Sequence, residues 1–256
     1  MKSTHIEYSI REGVATICMV PPVGKPVTLD EEVLSELEQA IEKVNRDSPQ
    51  LVLLRSDSEK FFCVGANLNV LKETTEQSIV SWVMRGHAVL NKLEDLSMPV
   101  AAVVEGYAIG GGLELAMACD LIFASDTAKF AQSEAGLGFI PGWGGTRRLT
   151  QRIGVAKAKY YFYSGKMIDA TTAQGIGLID IVCNKEVFGA EIREFTKDVL
   201  AQNSNALSQF KVIVNNEHNR GRDENAAVEA FRSVSCLQDP DAKQRLDDFL
   251  NKRRKK

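Results

Sequence analysis

The 256-residue sequence holds only three histidines, His5, His87 and His218, and they lie far apart. That distribution gives no support to metal coordination or to a histidine-based nucleophilic triad. The five cysteines (Cys18, Cys63, Cys119, Cys183 and Cys236) are odd in number, widely spaced and without a C-x-x-C pair. They read as reduced thiols, not as a disulfide or zinc framework. No apolar run approaches the roughly 20 residues that span a bilayer, so no membrane partner is expected. Met1–Glu7 has neither the apolar core of a signal peptide nor the Arg-rich, acid-poor character of a transit peptide, and a cytoplasmic location is the expectation. There is no G-x-x-x-x-G-K-[ST] run and no G-x-S-x-G elbow, and Gly136-x-Gly138-x-x-Pro141 fails the dinucleotide fingerprint at its last position. An excess of positive charge is missing too. The net charge is −3, and five basic residues at 252–256 leave −8 on residues 1–251, which argues against a nucleic-acid partner. The basic tail reads as a solvated end or as an anion contact.

What is present is ordinary in bulk, with 44% hydrophobic and 25% charged residues, and informative in order. Two strands are expected near His5–Ile10 and Val14–Met19, joined at Arg11-Glu12-Gly13. Asp30 reads as the N-cap of a helix to Arg46, with Val33, Leu34, Leu37, Ile41 and Val44 on one face. Short strands are expected at Leu51–Leu54, Val100–Val104, Leu121–Ala124, Lys129–Ala131 and Leu178–Cys183, with a long helical stretch over Thr75–Leu96. Phe61–Asn67 reads as an apolar loop, unusual because loops normally face water. Strand–helix alternation stops near residue 185, and four helical segments come after it. The expected architecture is an α/β core over residues 1–190 and a helical region over 191–256. No sequence repeat with a clear period is visible.

The densest signal is Gly110-Gly111-Gly112-Leu113-Glu114 at the head of an apolar helix. Three consecutive glycines at a helix start are entropically costly. They make sense where a ligand lies on the backbone and uses the unpaired N–H groups of the first turn. A carboxylate embedded in such a helix is expensive unless chemistry uses it. Glu134 stands twenty residues later, before Ile140-Pro141-Gly142-Trp143-Gly144-Gly145. Together these point to an oxyanion hole with acid–base groups. The bland alternatives are tight turns for the glycines, a helix-dipole partner for Glu114 and a solvated strand end for Glu134. Ile79, Trp82 and Val83 form a stripe that suits either an acyl pocket or core packing.

Three segments carry a resemblance: Cys63-Val64-Gly65-Ala66-Asn67, Gly106–Ala116, and Ile140–Thr146. In order and spacing they are similar to the signature segments of the crotonase family, the enoyl-CoA hydratases and isomerases. The resemblance implies a spiral core of repeated ββα units followed by a helical trimerisation region, assembled as trimers or hexamers. It implies that the N–H groups of Ala66 and Gly111 grip a thioester carbonyl, with Glu114 acting on water and Glu134 on the C2 proton. Phe62, Val64, Asn67, Gly110, Pro141, Gly142 and Trp143 are then expected along the acyl-CoA substrate. Lys25 and Lys252 are expected near CoA phosphates, and Phe249 near the adenine, the last two reaching a neighbouring subunit. Asn67 stands where many members carry Asp, which keeps a hydrogen-bonding group and loses a charge. The activity implied is enoyl-CoA hydration or the reverse dehydration, with no metal and no cofactor beyond the CoA of the substrate. Double-bond isomerisation, which one carboxylate can serve, is the alternative. An RNA-binding or scaffold protein of the same fold is the remote one.

Overall fold

The computed structural model describes residues 5–216 and 222–254. The chain opens on a hairpin, β1 (Ile6–Arg11) and β2 (Val14–Met19), turned at Glu12 and Gly13, both with positive φ, as a two-residue hairpin loop requires. The alternation in β2 buries Ala15, Ile17 and Met19. Asp30 caps α1 (Glu31–Asp47), accepting from the Val33 N–H, and the expected apolar face of that helix is buried.

From there the chain repeats one gesture. A strand enters a six-stranded sheet, a second strand enters a four-stranded sheet, and helices return the chain. The first turn is β3 (Leu51–Ser56), β4 (Phe61–Cys63), α2 (Leu68–Lys72) and α3 (Glu76–Glu94). The second is β5 (Val100–Val104), β6 (Tyr107–Ile109) and α4 (Gly111–Met117). The third is β7 (Leu121–Ser125), β8 (Lys129–Ala131), a 3-10 turn over Glu134–Leu137, α5 (Gly145–Ile153) and α6 (Val155–Ser164). A short β9 (Ile168–Asp169), α7 (Ala170–Gly175) and β10 (Ile181–Cys183) close the spiral. The sheet orders are β1-β2-β3-β5-β7-β10 and β4-β6-β8-β9. Pairing is parallel between successive turns: Val52 with Val100, Ala101 with Leu121, Phe123 with Ile181. The repeat is therefore structural and uneven, advancing by 48, 20 and 58 residues, which is why no period is visible in the sequence.

The helical remainder is α8 (Phe188–Leu200), α9 (Ser204–Asn216), α10 (Arg222–Gln238) and α11 (Pro240–Arg254). Phe188 and Ile192 of α8 pack with Phe123, Ala101 and Val103 against the outer face of the six-stranded sheet, so the 190/191 division falls inside a helix bound to that sheet. No described helix is long and apolar enough to cross a membrane. The side chains of Phe249 and Lys252 lie outside the described residues, as do Lys255 and Lys256.

Candidate active site

The apolar stretch at Phe61–Asn67 is buried because it is only partly a loop. Phe61–Cys63 forms β4, and residues 64–67 are stitched to the segment before α1. The Val64 N–H donates to Val27 O (2.9 Å), Leu29 N–H to Gly65 O (2.8 Å) and Asn67 N–H to Leu29 O (2.9 Å). The ladder takes the Asn67 N–H, and the Gly65 N–H donates to Cys63 Sγ (3.5 Å). Among the described residues, the Ala66 N–H has no protein acceptor.

The second unpartnered donor is Gly111, the first residue of α4, whose N–H precedes the intrahelical ladder. The two segments touch. A Cβ on Gly65 would lie 2.8 Å from the Gly111 nitrogen, and one on Gly111 would lie 2.7 Å from the Trp143 ring. Glycine at both positions lets the donors sit side by side on the wall of one cavity of about 470 Å³, which both Ala66 and Gly111 border.

Glu114, one turn into α4, is 2% exposed. Its Oε1 accepts from the backbone N–H groups of Trp143 (2.8 Å) and Gly145 (2.7 Å). Burial pushes its pKa up to about 7, against the pull of those two donors, and the neighbouring Glu134 carboxylate adds to the rise. Glu134 starts the 3-10 turn, and burial raises its pKa also. One oxygen accepts from Gln132 Nε2 at 2.7 Å, while Oε2 is buried with no hydrogen-bond partner among the described residues. Both carboxyls border the same cavity. For both, desolvation favours the protonated form over the charged one.

The loop that holds Glu114 is itself held. Arg148, 3% exposed, donates to Trp143 O (2.8 Å), Asn91 Oδ1 (2.8 Å) and Glu94 Oε2 (2.6 Å). Trp143 is buried, packs edge-on against Trp82 with ring centroids 5.3 Å apart, and fills the space above Gly86 and Gly111. Trp143 thus ties α3, the glycine turn and the glutamate-binding loop together.

Of the residues expected at the site, Val64, Ala66, Gly110, Gly111, Glu114, Glu134, Pro141, Gly142 and Trp143 border the cavity, as do Ile79, Trp82 and Val83. Phe62 does not: it is 1% exposed, and its ring is packed into the hydrophobic core instead. Asn67 does not either. Its side chain caps α2 through the Asn69 N–H (3.2 Å) and donates to Asp30 (3.4 Å). With Lys25 it borders a separate, smaller hollow. Sequence reasoning missed His87 and Thr146, which border the cavity. His87 continues the Ile79–Val83 stripe at four-residue spacing, a readable signal. Burial and the Arg148 and Arg147 charges hold its pKa below the usual value. Thr146 closes the segment Ile140–Thr146 that carries part of the resemblance, but was not singled out there.

The family model for enoyl-CoA hydratase/isomerase matches residues 9–256. The chain is 33% identical over 245 residues to the short-chain-enoyl-CoA hydratase of Clostridium acetobutylicum, covering 95% of this chain and 94% of that one. It is 32% identical over 227 residues to the crotonyl-CoA hydratase of Syntrophomonas wolfei, covering 88% and 87%. The crystal structure of an enoyl-CoA hydratase from Bacillus anthracis superposes with a TM-score of 0.91 at 27% identity, over 97% of this chain and 96% of that one. The chain belongs to the crotonase family, the enoyl-CoA hydratases and isomerases.

Proposed function

We propose that this protein adds water across the C2=C3 double bond of an enoyl-CoA thioester and catalyses the reverse dehydration at the same site. The observation that carries the proposal is the meeting, in one cavity, of two unpartnered backbone donors and two carboxyls with raised pKa values, Glu114 buried and Glu134 half-buried. The Ala66 and Gly111 N–H groups hold the thioester oxygen and strengthen their hold as negative charge moves onto it, the circumstance in which such donors matter most. Glu114 takes a proton from water as its oxygen bonds to C3. Glu134 gives a proton to C2 of the resulting enolate. The proton left on Glu114 and the one missing from Glu134 are restored by exchange through the solvent of the cavity. The sum is one water added, with no redox change and no group for a cofactor to carry.

Gly111 and Glu114 sit on α4, the Ala66 segment is stitched to Val27 and Leu29, and the loop that holds Glu114 is anchored by Arg148, which supports their action without large rearrangement. The same reading proposes that the chain works as a trimer or a pair of trimers. Support comes from exposed apolar residues on the helices after the spiral, including Phe210, Phe231 (78% exposed) and Leu237. CoA contacts by Lys25, Phe249 and Lys252 are part of the same proposal.

The test tracks the ultraviolet absorbance of the conjugated thioester with crotonyl-CoA. Wild type consumes it, and Glu134→Gln lowers kcat by at least about 100-fold with KM little changed. Near-normal turnover in that variant removes Glu134 from the chemistry. Conversion of a 3-enoyl-CoA to the conjugated isomer in place of hydration makes the protein an isomerase.

A further inference from the structure

Helices α2 and α3 form the outer wall of the cavity, and that wall has two sides. Leu68 and Leu71 of α2 and Ile79 and Val83 of α3 face inward. Val70, Ser78, Ser81 and Arg85 border an open groove of about 750 Å³ on the far side. The positions obey helix geometry, since 79 and 83 share one face while 78, 81 and 85 share another. Among the described residues, Trp82 alone borders both spaces. Its ring rests edge-on against Trp143.

This part of the wall is also lightly held. No residue of α2 is buried, and the buried positions of α3 begin only at Gly86. Segments with so few buried apolar contacts open locally at low cost. At the groove, the charges of Glu31 and Arg85 are paired with each other (2.9 Å), and Val70 and the Trp82 ring supply apolar surface beside the polar Asn69, Glu73 and Thr74.

We propose that Trp82 determines the acyl-chain length this protein accepts: it is the end wall of the acyl cavity, and the groove behind it receives the chain end of longer thioesters once that wall is shortened. The inference rests on the enoyl-CoA reading above. The cavity as it stands must hold thioester, water and acyl chain together, so it suits short apolar acyl groups.

The experiment compares kcat/KM for crotonyl-CoA and trans-2-dodecenoyl-CoA. It uses wild type, Trp82→Leu, Trp82→Ala and the double variant Trp82→Ala with Ser81→Trp. Only the ratio of the two substrates is read, so a general loss from disturbing Trp143 cancels. Wild type favours crotonyl-CoA. The dodecenoyl-to-crotonyl ratio rises at least about 10-fold in Trp82→Ala, the scale on which apolar pockets discriminate. It rises less in Trp82→Leu, and falls back when a tryptophan at position 81 fills the groove. If Trp82→Ala does not fold, Trp82→Leu carries the comparison. An unchanged ratio in the folded Trp82 variants overturns the inference and leaves the hydratase reading intact, as does a wild type that already prefers dodecenoyl-CoA. A wild type that hydrates neither thioester removes the reading and the inference with it.

Discussion

Replacing Glu114 by glutamine should make the protein more stable at pH 8, while its activity collapses. The carboxyl is 2% exposed, and its pKa is raised from 4.5 to about 7. At about 1.4 kcal/mol per pH unit, that displacement is worth about 3 kcal/mol. The sign comes from linkage. The folded chain holds this proton more tightly than the unfolded chain does. The stability it contributes is therefore fully present below pH 4.5 and is lost as the pH climbs through about 7. Glutamine keeps an oxygen for the Trp143 and Gly145 N–H groups and carries no charge to bury. The difference in unfolding free energy, variant minus wild type, should thus grow by up to about 3 kcal/mol between about pH 4 and pH 8. Urea unfolding at both pH values and one fixed protein concentration measures it, and common effects of other titrating groups cancel in the difference. A difference that stays flat across this range refutes the argument, because it means that the charged form is not strained by burial. The expected gain is the usual trade of stability against function at an active site.

Further outcomes come from the scaffold. Glu94→Leu should destabilise by about 3 kcal/mol, since it strands the buried Arg148 charge. Arg148→Met should cost less, because Arg147 remains on Glu94 (2.5 Å); denaturant titration of both checks the order. Gly86→Ala places a Cβ 2.1 Å from the Trp143 indole, and overpacking against so rigid a ring should cost at least about 1–3 kcal/mol along with most of the turnover. A melting curve with a crotonyl-CoA assay tests it, and a fully active, stable variant contradicts the Trp143 placement. Truncation before Asp239 should lower the oligomeric mass in solution and raise KM for crotonyl-CoA. Unchanged mass and KM would sink both the interface and the CoA-contact proposals.

The strands and helices with strong periodicity were legible in the sequence, and α1 shows why. Its cap and apolar stripe are local facts, and they agree with the tertiary environment. Of the second sheet only β8 was legible; the two-residue β9 and three-residue β4 and β6 were not, since runs this short carry little periodicity and are held chiefly by their neighbours. The 3-10 turn that carries Glu134 was hidden for the same reason. The glycine signal has a further cause in the fold itself. A ligand lying on the backbone was the expectation, yet a Cβ on Gly112 would already strike Cys63 O at 2.0 Å, and one on Gly111 the Trp143 ring. Protein atoms, before any ligand, demand those glycines. Phe62 and Asn67 stand off the cavity: a motif brings its neighbours along, whereas core packing and capping decide where each side chain goes.

The uneven spiral also bears on how the chain reaches this state. Parallel partners far apart in sequence form late, since the entropy of closing a long loop must be met before the pairing returns anything. The β1–β2 hairpin closes over two residues, whereas β10 must return across 58 residues to add a three-residue pairing to β7. Until it does, Leu121-Ile122-Phe123-Ala124 has one unpaired edge, apolar and without charge. Strands of that kind recruit other chains. The vulnerable moment in the life of this protein is therefore the interval before residues 181–183 dock, and its aggregation during refolding should start from β7, far in character from the chemistry the finished fold performs.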